Sequence, residues 1–79
     1  MERVFIVKRK LTNQASMLGI VIGEIISNTD NCYYILHKKK LSRIKKDLVL
    51  GFWDEDCGEP LYGVIEKCYD ELNEYNLYS

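Results

Sequence analysis

The spacing of apolar residues divides the chain into predicted strands followed by one predicted helix. Residues 3–8 contain Val4, Phe5, Ile6 and Val7 in succession, and this run of β-prone apolar types predicts a first strand. Residues 18–27 and 32–37 predict a second and a third strand. The polar residues 28–31 between them suit a tight turn, so the sequence predicts a hairpin here.

Residues 38–46 do not fit a single type of secondary structure. Leu41, Ile44 and Leu48 have helical spacing, whereas the residues around them are mostly basic and would equally suit a solvated turn. Helix, strand and turn therefore stay open for this segment. Residues 48–53 predict another short strand, and residues 54–59 predict a loop.

The segment after Pro60 has the pattern of an amphipathic helix. Proline is tolerated at the first helical position because its missing N–H would have no partner there. Polar residues fall mainly on the side opposite an apolar stripe, so the stripe predicts a helix that packs on the strands. The stripe comprises Leu61, Val64, Ile65, Cys68, Leu72 and Tyr75.

The second predicted strand is apolar on both faces. One face carries Leu18 and the isoleucines at 20, 22 and 26, and the other carries Gly19, Val21, Gly23 and Ile25. A half-solvated strand would show one polar face, so both faces need cover. The C-terminal helix can shield one side, and the other must be closed by barrel curvature or by a second subunit. The two glycines predict close backbone approach by a packing helix or at a dimer seam.

These elements predict a small α+β fold in one domain, residues 1–79. A mainly antiparallel sheet of three to four strands with the C-terminal helix packed on it is the leading architecture, and a small SH3-like barrel with a trailing helix is the alternative. The chain has 79 residues, of which 47% are hydrophobic and 11% aromatic, and this composition is typical of a folded domain.

Charge is distributed unevenly along the sequence. Residues 1–53 hold ten Lys and Arg against four Asp and Glu, whereas residues 54–79 hold Lys67 against eight carboxylates. Such asymmetry affects partner choice and encounter rate. Lysines outnumber arginines, and Ala15 is the only alanine. This bias indicates an AT-rich genome, such as that of a low-GC bacterium or its phage.

Targeting and redox signals predict a cytoplasmic protein, located in the host cell if the gene is phage-encoded. Apolar residues 17–26 are too few to span a bilayer, and the N-terminus lacks the basic and apolar regions of a secretory signal. Cys32, Cys57 and Cys68 are odd in number and widely spaced, which does not suggest a disulfide framework.

Metal and catalytic sites are not predicted. The cysteines and His37 contain no Cys-x-x-Cys pair, and the acidic residues 54–59 do not continue in the register of a calcium loop. Carboxylates around Cys57 oppose formation of a thiolate nucleophile. No phosphate loop, dinucleotide motif or nucleophile elbow is present. We therefore expect no cofactor, no metal and no enzymatic activity.

The acidic, tyrosine-bearing C-terminal region is the leading candidate site. Tyr62, Tyr69, Tyr75 and Tyr78 are more tyrosines than one core stripe absorbs, and tyrosines on a helix are good interface anchors. Carboxylates on the same helix would steer a basic partner. This pattern predicts a protein-binding module, such as a small inhibitor or accessory factor of a phage or mobile element that engages a nucleic-acid-handling protein. The predicted contact residues are Asp54, Glu55, Asp56, Glu59, Glu66, Asp70, Glu71, Glu74, Tyr75 and Tyr78.

The basic segment 37–46 is the alternative candidate site. It combines cations with aromatic residues close by in sequence, as proteins that bind nucleic acids or nucleotides do. An isoelectric point near 5.8 and the lack of a recognition motif weigh against it. The predicted contact residues are Lys38, Lys39, Lys40, Arg43, Lys45, Lys46 and Tyr33.

Overall fold

The computed structural model describes residues 2–10 and 16–78, and within them five antiparallel strands precede one helix. The prediction of an α+β fold with a C-terminal helix on a mainly antiparallel sheet is confirmed, with five strands instead of three to four. Neighbouring strands lie in the order β4-β3-β2-β1-β5. The elements are β1 (Arg3–Lys10), β2 (Ser16–Asn28), β3 (Cys32–His37), β4 (Lys40–Lys45), a 3-10 turn (Lys46–Leu48), β5 (Val49–Trp53) and α1 (Leu61–Tyr78).

The additional strand is β4, which occupies the segment that the sequence left open. It pairs with β3 from Cys32 opposite Lys45 to His37 opposite Lys40. Among its apolar residues Ile44 is buried, whereas Leu41 is exposed. Because β4 is an edge strand, it needs few apolar residues, and its lysines discourage pairing with another chain. The helical spacing of these residues was therefore a coincidence.

Strand β2 bends where its pairing partner changes. Residues 16–23 pair with β1, and residues 24–28 pair with β3, with a bulge between Ile25 and Ser27. At the bend, a Cβ atom on Gly23 would collide with the Ile35 side chain and lie 2.8 Å from the carbonyl oxygen of Leu36. Only glycine fits this position, so Gly23 permits the sheet to turn through a corner.

The bend buries an apolar cluster on the side of the sheet away from α1, which we call the inner face. Phe5 is 1% exposed and Ile35 is 0% exposed, although the described helix α1 packs against Ile6 on the opposite face. Side chains of the strands themselves therefore bury this face. The cluster comprises Phe5, Val7, Ile35 and Ile44, with Val21, Ile25, Tyr33 and Val49 packed against it.

Two details of the predicted inner face are corrected. The edge strands β4 and β5 do not pair with each other, so the sheet is not closed into the SH3-like barrel that was the alternative fold. The glycines do not receive a helix. The Arg9 side chain lies over Gly19, and β3 itself approaches Gly23.

Helix α1 packs on the other side, the outer face, across β5, β1 and β2. The side of α1 that faces the sheet buries Val64, Cys68 and Leu72, and the first two of these side chains pack with Ile6 of β1. A Cβ atom on Gly51 would lie 2.9 Å from the Cys68 sulfur, so this glycine permits close contact between helix and sheet. The predicted apolar stripe of the helix is confirmed at these positions.

Candidate functional site

Two tyrosines of α1 project to solvent on the flank of the helix that faces β2. Tyr62 and Tyr69 are seven residues apart, or about two helical turns, and are 71% and 52% exposed. Seven residues further on the same flank, the Asn76 amide donates to the carbonyl of Ser16 and accepts from its N–H, both at 3.0 Å. Because Ser16 is the first residue of β2, these two hydrogen bonds show that this flank of the helix is turned toward β2.

The part of β2 beside this flank is also exposed. Ile20 and Ile22 lie opposite Ile6 and Val4 on the outer face, but they are 51% and 44% exposed, whereas Ile6 is buried. We call Tyr62, Tyr69, Ile20 and Ile22 together the tyrosine–isoleucine surface. Sequence reasoning noted the tyrosines but missed the isoleucines, whose exposure depends on where the helix crosses the sheet.

The two tyrosines that the sequence favoured are placed differently. The ring of Tyr75 lies beneath the Lys8 ammonium, with Nζ 3.7 Å from the ring centroid. This cation–π contact ties the end of α1 to β1. Tyr78 is the last residue of α1, and its side chain lies outside the described residues.

The predicted acidic contact residues divide into two groups. Asp54 and Glu59 have internal partners. The Asp54 carboxylate lies 3.6 Å from Arg3 Nε and accepts a hydrogen bond from the Asp56 N–H. Glu59 pairs with Lys67 at 2.7 Å, and this hydrogen bond and the charge of Glu59 raise the pKa of Lys67.

The second acidic group is directed to solvent. Its members lie on the exposed side of α1 or in the loop before it, as the amphipathic pattern predicted, and within residues 2–10 and 16–78 none forms an ion pair. Their charges remain available to a partner. They are Glu55, Asp56, Glu66, Asp70, Glu71 and Glu74.

The basic candidate site is a hairpin, β3–β4, with a two-residue turn. Lys38 and Lys39 form the turn and have φ angles of 48° and 67°, while His37 and Lys40 pair on either side. Positive φ at both positions is the condition of a type I′ turn, which favours Asn-Gly. For a residue with a Cβ atom, the left-handed region costs about 1–2 kcal/mol. The turn therefore contains two strained lysines.

The cations of the hairpin continue along β4. Arg43 and Lys45 are exposed, and neither forms an ion pair with a carboxylate in the described part of the chain. Lys46 has neutral partners, since it donates to Asn28 Oδ1 at 3.2 Å and lies 5.0 Å from the Tyr33 ring centroid. The base of the hairpin has a shallow depression of about 530 Å³. Its lining is Asp30, Asn31, Cys32, Arg43, Lys45, Lys46 and Asp47.

The aromatic residue proposed for the basic site lies on the inner face. The Tyr33 ring packs against Phe5, with ring centroids 6.0 Å apart, and belongs to the inner cluster. Its neighbour Tyr34 lies on the other side of β3, directly opposite Arg43. Strand alternation places successive side chains on opposite faces, so Tyr34 is the aromatic residue beside the exposed cations.

The titratable residues of other candidate sites lie apart from one another. His37 Nδ1 lies 2.6 Å from Glu2 Oε2. Cys68 is buried beneath α1, and burial and the nearby charge of Glu71 raise the pKa of its thiol. Cys57 is exposed in the loop before α1. Across residues 2–10 and 16–78, no three His, Cys, Asp or Glu side chains are grouped as metal ligands.

The described helix α1 carries charged residues along its exposed side. In the part of the chain that the structure covers, no helix combines the length and apolar content needed to cross a bilayer.

Comparisons with models of protein families, with curated proteins and with solved structures found no significant match to this chain.

Proposed function

We propose that this chain is a non-catalytic protein-binding module whose contact area is the tyrosine–isoleucine surface. The observation that carries the proposal is the exposure of four large side chains, 71% and 52% on the flank of α1 that faces β2 and 51% and 44% on the outer face of β2. Apolar surface left in water forgoes about 25 cal/mol per Å² relative to burial. Adjoining apolar groups on a small protein are typical of an interaction site.

Tyr62 and Tyr69 suit the role of anchors. A tyrosine buries a large area while losing only two side-chain rotations, and its hydroxyl tolerates a wet rim. Both project from a helix that is fixed by the Asn76 contacts with Ser16, so the partner meets a preorganised surface.

The charge next to these anchors defines the chemistry of the partner. Glu66 and Asp70 are exposed on the outer side of the same helix, and Glu74 follows one turn later. We expect a partner with an apolar pocket and a basic rim, as nucleic-acid-handling proteins often present. Long-range attraction would speed the encounter and weaken at high salt.

A chain of this size suits an inhibitor or accessory factor that covers part of a larger protein. We further propose that it belongs to a phage or mobile element and acts in the cytoplasm. The free thiols of Cys32, Cys57 and Cys68 suit a reducing compartment. Compositional bias, with Ala15 as the only alanine, supports the source.

The experiment is affinity capture from a low-GC bacterial lysate treated with nuclease, using the unaltered chain and a Tyr62→Ser/Tyr69→Ser variant. We expect a protein partner that survives nuclease and is absent, or bound at least tenfold more weakly, with the variant. Both tyrosines are exposed, so the variant should fold with a change in stability within about 0.5 kcal/mol.

The matched control is Tyr75→Ser, which removes a tyrosine of the same helix that already contacts Lys8. This control should retain the partner. Loss of all partners after nuclease treatment, or equal capture by the Tyr62→Ser/Tyr69→Ser variant, would contradict the proposed surface.

A further inference from the structure

The two-residue turn of the β3–β4 hairpin holds lysines where other residues fit better. Lys38 and Lys39 both have positive φ, and the pair His37–Lys40 closes the turn. Asn-Gly satisfies the same backbone at lower cost, because glycine has no Cβ atom and the short polar side chain of asparagine tolerates the left-handed region. Strained residues of this kind persist where the surrounding structure enforces them, and they cluster at functional sites.

The strain places cationic side chains at the tip of the hairpin. Lys38, Lys39 and Lys40 are all exposed, and within the described ranges none is paired with a carboxylate. Arg43 and Lys45 extend the positive charge along β4, whose six residues span about 20 Å. The hairpin thus presents a row of unneutralised cations at the edge of the sheet.

We infer that this hairpin is a binding element for the phosphate backbone of single-stranded nucleic acid. Its cations match a row of phosphates, and release of counterions from such a strand supplies affinity. Tyr34 lies opposite Arg43, which sets an aromatic ring beside the cations, and single-strand binders stack bases on rings in this arrangement. The aromatic partner favours a nucleic acid over an anionic membrane. This inference is independent of the tyrosine–isoleucine surface.

If the inference is correct, the two turn lysines lower the stability of the protein and raise its affinity for a nucleic-acid strand. A Lys38→Asn/Lys39→Gly variant removes both cations and relieves the backbone. We expect its melting temperature to rise by on the order of 5 °C. Its affinity for a strand should fall on the order of tenfold. The slope of log K against log salt should become shallower by about 1.4, or about 0.7 for each phosphate that the variant no longer neutralises.

The test is fluorescence anisotropy with labelled oligo(dT) and oligo(U) of twenty nucleotides, from about 50 to 200 mM salt, with melting temperatures measured in parallel. A Lys38→Arg/Lys39→Arg control keeps charge and backbone strain, so it should bind like the unaltered chain and melt at the same temperature. A Lys67→Gln control removes a distant cation on α1 and should leave both strand affinity and slope unchanged. Tyr34→Ser should weaken binding and keep the slope.

Three results would overturn the inference. The unaltered chain could fail to bind either strand at the lowest salt. The Lys38→Asn/Lys39→Gly variant could keep the original affinity and slope, which would place the contact elsewhere. Vesicles containing phosphatidylserine could bind while neither strand does, which would assign the cations to a membrane. Because the tyrosines of α1 take no part, failure here leaves the proposed protein surface standing.

Discussion

The two halves of the sheet differ in whether their charged side chains have partners of opposite charge within the protein. The half formed by β5, β1 and residues 16–23 carries α1, and there Asp54 and Glu59 pair with cations of their own half. The half formed by residues 24–28, β3 and β4 carries the hairpin, whose cations at 38, 39, 43 and 45 have no carboxylate partner among the described residues. Ion pairs stabilise the fold in the first half. In the second half His37 contacts Glu2, but the cations at 38, 39, 43 and 45 are left for other molecules.

Strand order alone does not separate the two charged regions. Strands β4 and β5 are the opposite edges of the sheet, but only the turn Lys46–Leu48 connects them, and Ile44 of β4 lies in the same inner cluster as Val49 of β5. The hairpin turn precedes β4 and the acidic segment follows β5, so the two charged regions are attached to different ends of this connected pair of strands.

Truncation of an inner-core side chain that connects the two halves should lower the free energy of unfolding more than any other change considered. Phe5 on β1 packs with Ile35 and Ile44 of the hairpin half. We expect Phe5→Ala to cost about 3–5 kcal/mol, out of a total stability of about 4–12 kcal/mol for a chain of this length. Urea unfolding followed by circular dichroism measures this decrease in stability.

The matched control is Phe52→Ala. Phe52 lies opposite Phe5 in the ladder but is 52% exposed, with its ring centroid 5.4 Å from the Arg3 guanidinium carbon. Its removal should cost less than about 1 kcal/mol. Equal destabilisation by the two substitutions would show that the inner cluster does not hold the halves together.

Two glycine substitutions test how closely α1 packs on the half of the sheet that carries it. Gly51→Ala places a methyl group 2.9 Å from the Cys68 sulfur and should cost about 1–3 kcal/mol by pushing α1 from the sheet. Gly63→Ala meets Pro60 at an ordinary distance of 3.6 Å, and a helical alanine should stabilise by about 0.5–1 kcal/mol. Thermal unfolding of both variants gives opposite shifts if the packing is as described, and shifts of the same sign contradict it.

Thiol labelling should distinguish the exposed loop after β5 from the packed helix within the half of the sheet that carries α1. Cys57 is exposed, whereas Cys68 is buried beneath α1 and its pKa is raised by burial and by Glu71, so little thiolate forms at pH 8. We expect Ellman's reagent to modify Cys57 rapidly and Cys68 only when the helix detaches or the protein unfolds. A Cys57→Ser variant should lack the fast phase. Rapid labelling of Cys68 in that variant would show that α1 is not stably packed.

Local sequence patterns predicted those elements whose residue types and spacing are characteristic of one kind of secondary structure. The apolar run of β1, the polar turn between β2 and β3, and the stripe on α1 each identified an element correctly. Strand β4 was left undecided between helix, strand and turn, because Leu41 and Ile44 suited a helix and an edge strand needs few buried residues. No pattern in β2 showed that its partner changes at Gly23, since the bend depends on the position of β3.

The candidate sites were predictable in type but less so in detail. Charge asymmetry and the tyrosine-rich tail indicated two binding regions. Tyr62 and Tyr69 are 71% and 52% exposed, whereas Tyr75 is 42% exposed and contacts Lys8, and the sequence alone did not separate them. Strain at Lys38 and Lys39 follows from a loop of two residues, a length that becomes known only when β4 is seen.

The pairing of β1 with β5 has a consequence for synthesis on the ribosome. Val4 lies opposite Trp53, so this contact closes a loop of nearly fifty residues, whereas the β2–β3 and β3–β4 hairpins close short loops. The hairpins can form while translation continues, but one side of β1 stays unpaired until residues 49–53 emerge. During that interval the nascent chain offers an apolar edge to neighbouring polypeptides, and crowded translation would favour aggregation before completion.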